Sequence, residues 1–187
     1  MRMPADHCGV LVSARGLRSR GIGEYKWLQQ MAASVERETP VESSKIEFEV
    51  DDPGLYVTPS PYIGLTPASL SRALTYMRDN DGLVIEAQSI EATIDYPLRA
   101  PITRQLNSEG GFTREQLCSR IADLYQDIFR EEQQTSSIPE GTVGNICMNR
   151  AKTDGRYGIW GHFLDDLMLH TVYYDPLRQS IRLGIDS

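Results

Sequence analysis

Residues 112–132, FTREQLCSRIADLYQDIFREE, constrain this chain more than any other stretch. Thr113 and Gln116 stand at the spacing of a capping box, in which a hydroxyl and an amide satisfy N–H groups that a first helical turn leaves without partners. Phe112 and Leu117 are placed to pack together across that entry. Leu117, Ile121, Leu124, Ile128 and Phe129 recur every three or four residues and fall on one face. Arg114, Glu115, Arg120, Asp123, Asp127 and Arg130 take the other. A helix with a single apolar stripe must bury it against another layer, and the rest of the chain has to supply that layer.

Other segments alternate between the helix and strand periods. Residues 22–38 predict a helix with Trp27, Leu28, Met31 and Val35 on one face, stopped by Pro40. Residues 45–50 switch to period two: Ile46, Phe48 and Val50 point one way and Lys45, Glu47 and Glu49 the other. Residues 51–66 read as a long loop with Tyr56 and Tyr62 among prolines. Thr66 and Pro67 then open a helix, the hydroxyl as cap and the proline where its missing N–H costs nothing. Leu70, Ala73, Leu74 and Met77 form its stripe.

The sequence Asp79-Asn80-Asp81-Gly82 resembles the centre of a calcium loop. In that register the first ligand would be Met77 and the bidentate acid Gln88, so a helix stop and tight turn are expected instead. Residues 83–95 supply one or two strands, with Ile90, Ala92 and Ile94 alternating. Pro97 and Pro101 bar a central strand across residues 96–102. The last twenty residues predict a hairpin: residues 167–174, a turn at Asp175-Pro176, then Ile181, Leu183 and Ile185 facing inward. The fold class expected is α+β, a single domain over residues 21–187 with a mixed or antiparallel sheet, about three amphipathic helices and a C-terminal β-hairpin.

Bulk properties exclude several functions. The chain has 187 residues, which suits one core at ~100–200 residues per domain. Its net charge is −7 and its lysines and arginines form no long cluster, which disfavours nucleic acid as a partner. No apolar run is long enough to span a membrane. Residues 1–20 carry Arg2, Arg15, Arg18 and Arg20 against Asp6 and are read as a flexible basic arm, with a presequence or docking arm as alternatives. Cys8, Cys118 and Cys147 are odd in number and far apart, so reduced thiols and an intracellular, cytoplasmic location are the default, with organelle import left open.

Chemistry concentrates in residues 149–169. Gly155, Gly158 and Gly161 permit close backbone approach. Tyr157 and Trp160 are amphipathic anchors. Arg150, Asp154, Arg156, Tyr157, Trp160 and His162 are the candidate binding residues. His162 and Asp165 form a candidate catalytic pair, His162 as general base oriented by Asp165. His162 with Asp165 and Asp166 is a candidate metal set, and a divalent cation held there would activate water. Against this stands a purely structural reading: glycines shaping turns, Trp160 plugging the core, His162 bound to a carbonyl, Asp165 capping a turn, and Arg150 paired with Asp154. His170 reads as a satisfied strand residue.

The run NRAKTDGRYGIWGHFLDDL resembles a motif N-R-x-x-[ST]-x-G-x-Y-G-I-W-G-H-x-[IL]-x-D-L found in a family of small uncharacterised proteins from large DNA viruses and some eukaryotes. The segment IDYPLRAPITRQLNSEGGFTREQL fits the same pattern, so the resemblance covers roughly the C-terminal half. It implies no activity. The leading expectation is a soluble protein-interaction or assembly domain, with a protein partner or a second copy of the chain meeting residues 157–162 and 56–62. The alternatives are a hydrolase acting through His162, Asp165 and Asp154, with or without a divalent metal, and a small-ligand-binding protein.

Overall fold

In the computed structural model, which describes residues 43–144 and 149–187, the alternating segment after Ser43 becomes β1 (Ser44–Glu47). Ile46, Phe48 and Val50 are buried while Lys45, Glu47 and Glu49 face solvent, as their period requires. The expected arm at 1–20, the expected helix at 22–38, and Cys8 and Cys147 lie outside the described residues.

Residues 51–66 are not wholly irregular, because they contain the short β2 (Ile63–Gly64). Helix α1 (Pro67–Tyr76) starts as its sequence dictates, with Thr66 as N-cap accepting from the Ser69 N–H at 3.3 Å. It ends when Met77 turns extended and its backbone joins Val50. Asp79 then adopts a left-handed conformation, φ 46°, and its carbonyl accepts from Gly82 N–H at 3.0 Å. The residues that resemble a calcium loop thus form a tight turn.

The expected one or two strands of residues 83–95 are two, β3 (Leu83–Ile85) and β4 (Ser89–Ile94), and they enter different sheets. β5 (Ile102–Asn107) was not predicted. It begins directly after Pro101 and lies at a sheet edge, where a neighbouring proline is tolerated. β6 (Phe112–Thr113) pairs with β3. Helix α2 (Arg114–Thr135) has the complete capping box of Thr113 and Gln116, and Phe112 and Leu117 are both fully buried. It runs three residues beyond the expected 132. A 3-10 turn (Leu164–Asp166) precedes the hairpin of β7 (Met168–Asp175) and β8 (Ser180–Asp186).

The main sheet has the order β1-β7-β8-β4-β5, with β2 also paired to β7. It is mixed: β4 and β8 run parallel and the other pairs antiparallel. β8 is therefore a central strand, hydrogen-bonded on both edges. One face carries Ile46, Ile90, Ala92, Ile94, Val172 and Ile181 into a single core shared with both helices. The fold is α+β with a C-terminal hairpin, and it has two helices among the described residues. None of these is long and apolar enough to cross a membrane. Cys118 is a fully buried thiol on α2, and burial pushes its pKa upward.

Candidate functional site

Helix α2 carries a carboxylate on its apolar stripe. Glu132 follows Ile121, Tyr125 and Ile128 at helical spacing, and like them it is buried, with no exposed surface of its own. A buried carboxylate needs donors, and residues 153–158 supply them. Glu132 Oε1 accepts from Gly155 N–H at 3.0 Å and Gly158 N–H at 3.2 Å, and Oε2 from Tyr157 N–H at 2.6 Å. The Thr153 hydroxyl also contacts Oε1 and lies 3.0 Å from the Ile159 carbonyl. Thr153 N–H donates to Ile159 O at 2.8 Å and closes the loop around the carboxylate.

Two glycines are required by this arrangement. A Cβ on Gly155 would lie 2.7 Å from Glu132 Oε1 and 2.8 Å from Thr135 Oγ1. Gly158 has φ +64°, and a Cβ there would meet the Arg99 guanidinium 2.6 Å away. Arg99 holds the loop from its outer side, donating to Gly155 O at 2.9 Å, while its own N–H donates to Tyr157 O at 3.1 Å.

The candidate binding residues divide. Asp154 does not meet Arg150. Its carboxylate accepts from Ser136 Oγ and Ser137 N–H, both at 2.8 Å, and from Ser137 Oγ at 2.6 Å. The Ser137 hydroxyl, then Ser136 and the Ser137 amide, hold its pKa down at about 2. Arg156 pairs with Glu131 at 2.8 Å and lies 5.4 Å from the Tyr157 ring centroid. Tyr157 is buried; its hydroxyl donates to Glu131 at 2.6 Å and accepts from Arg104 at 3.1 Å. The Tyr157 hydroxyl is the main cause that lowers the Glu131 pKa. These residues staple the loop to α2.

Trp160 and His162 belong to a second cluster. Trp160 does not plug the core: it is 37% exposed, and the fully buried Ile159 takes that place. Its ring meets Tyr96 edge-on at 5.3 Å and His162 at 5.7 Å. His162 Nε2 hydrogen-bonds the Tyr96 hydroxyl at 2.6 Å rather than a backbone carbonyl, and the same hydroxyl lies 2.8 Å from Ser187 Oγ. Its Nδ1 is buried with no hydrogen-bonding partner among the described residues.

Asp165 and Asp166 sit in the 3-10 turn, not on a strand. Asp166 is the capping residue: it accepts from Phe163 N–H at 2.8 Å and from the Asn149 amide at 3.0 Å. Asp165 is exposed at the rim of a groove that also includes Arg150. His162 makes no hydrogen bond to either aspartate, and the described residues hold no cluster of three or more metal-ligating side chains. His170 behaves as a satisfied strand residue, with Nδ1 2.9 Å from Thr171 Oγ1.

Arg150 is buried. Its guanidinium lies between the rings of Phe129 and Phe163, 5.7 and 5.6 Å from their centroids. Sequence reasoning missed Glu132, Tyr96, Arg99 and both phenylalanines. Only Glu132 carried a usable signal, an acid at the next position of an apolar stripe. No family model matches the chain, and no curated protein or solved structure matches it either.

Proposed function

We propose that this chain is a protein-interaction or assembly domain whose contact surface centres on Leu55, Tyr56 and Val57. The supporting observation is a fixed loop that presents apolar side chains outward. The Tyr56 side chain is fully exposed, and Val57 is 72% exposed. The base of the loop is held firmly: Val50 and Ser60 exchange both backbone hydrogen bonds at 2.9 Å. The buried Asp52 carboxylate accepts from Gly54 N–H at 2.8 Å and from two nitrogens of Arg72, Nη2 at 2.9 Å. An exposed aromatic flanked by apolar side chains suits an interface core. Tyr62, also exposed, stands edge-on to His170 with ring centroids 6.1 Å apart, and Trp160 offers a separate aromatic contact.

Sedimentation velocity across a concentration series tests self-association, and affinity capture followed by reconstitution from purified components tests a heterologous partner. The Tyr56→Ser/Val57→Ser double variant should fold with an unchanged melting temperature and lose the complex. If the double variant keeps every association of the wild type, the reading fails.

A further inference from the structure

Arg150 is 4% exposed, and its two aromatic neighbours use none of its N–H donors. Among the described residues no carboxylate, carbonyl or hydroxyl accepts from its guanidinium. Arginine stays cationic wherever it is placed, and a guanidinium that the protein gives no acceptor keeps its N–H donors for an anion that reaches the groove. The guanidinium forms part of the wall of a groove of about 630 Å³ between α2, the start of α1 and residues 163–165. Arg130 in the same groove is paired with Asp127 at 2.6 Å, which leaves Arg150 as the unpaired cation among the described residues that line it. Phe129, Phe163 and Leu164 add apolar wall, and Asp165 and Glu140 add carboxylates.

We infer that this groove binds an α-carboxylate, either of a free amino acid or of a peptide C-terminus. The planar guanidinium fork matches a carboxylate in bidentate geometry. Asp165 and Glu140 suit the ammonium or amide N–H that accompanies an α-carboxylate, and they would repel a phosphate dianion. The apolar wall suits an aliphatic side chain. This site lies apart from the Tyr56 loop and does not depend on the interaction reading.

The test is titration of the full chain with leucine, the dipeptide Gly-Leu, the C-terminal amide of that dipeptide, and inorganic phosphate, read by calorimetry. Leucine or Gly-Leu should bind saturably, and whichever binds identifies the source of the carboxylate. The amide should bind at least about tenfold more weakly, since it loses a charge-assisted fork. Arg150→Lys keeps the charge but not the fork and should lose about tenfold as well. Should that variant not fold, the wild-type contrast between acid and amide still decides, together with Asp165→Asn, which is exposed and should weaken leucine severalfold at an unchanged melting temperature. Equal binding of acid and amide, phosphate binding as tightly as leucine, or no binding of any probe up to about 10 mM would overturn the inference.

Discussion

Residues 153–161 and residues 52–60 are built on the same device and put it to opposite ends. Each loop is tied to a buried carboxylate that accepts a glycine N–H: Glu132 with Gly155, Asp52 with Gly54. Glu132 takes three backbone N–H groups, so its loop curls inward and Tyr157 is buried. Asp52 takes one and spends its remaining capacity on Arg72, so the loop is anchored only at its base and Tyr56 projects into solvent. An aromatic among glycines or prolines therefore says little by itself. What decides its direction is how many backbone donors are satisfied from inside the fold.

The contrast breaks most severely at Glu132. Glu132→Ala leaves three buried N–H groups without an acceptor and should cost about 3–5 kcal/mol, read as a lower denaturant midpoint at constant slope. Glu132→Gln should cost less but not be silent, since its amide NH₂ cannot accept. Next come the glycines. Gly158→Ala should destabilise by about 1–3 kcal/mol, through its left-handed backbone and the clash with Arg99. Gly110→Ala provides the control: φ is +79° but nothing lies within 4 Å, so only the backbone cost of about 1 kcal/mol should appear.

Asp154 gives a smaller effect with a defined sign. Its folded pKa lies near 2, below the ordinary 3.8, so its contribution is complete above the ordinary value and disappears as pH falls through the folded one. Asp154→Asn should therefore narrow the difference from wild type between about pH 4 and pH 2 in an acid-unfolding series. Tyr56→Ser should change stability least, within about 0.5 kcal/mol, as expected of a side chain that touches little.

These regions also show where the sequence was readable. β1, β4 and the start of α2 were legible because each follows a local rule: period two at Ile46, Phe48 and Val50 and at Ile90, Ala92 and Ile94, and the capping box at Thr113. β5 was not, because Arg104 occupies a position where alternation calls for an apolar residue, and its partner, the Tyr157 hydroxyl, lies 53 residues away. The run around residues 154–162 was correctly seen as unusual, but its roles depend on long-range partners. Asp154 is explained by Ser136 and Ser137, Gly155 and Tyr157 by Glu132, and His162 by Tyr96. No spacing within residues 149–169 encodes those contacts. Arg150, a candidate binding residue with Asp154 as its expected partner, is separated from Asp154 by the structure and placed against two rings.

The distinction between an inward scaffold and an outward contact loop is tested most directly by native-state amide hydrogen exchange. The amides of Gly155, Tyr157 and Gly158 should exchange only through global opening, and those of Tyr56 and Val57 should exchange orders of magnitude faster. In Glu132→Gln the Tyr157 amide should lose the most protection, since it meets the oxygen that the amide nitrogen replaces while the other oxygen still serves Gly155 and Gly158. Equal exchange at the two sites in the wild type, or unchanged protection of Tyr157 in Glu132→Gln, would contradict the account.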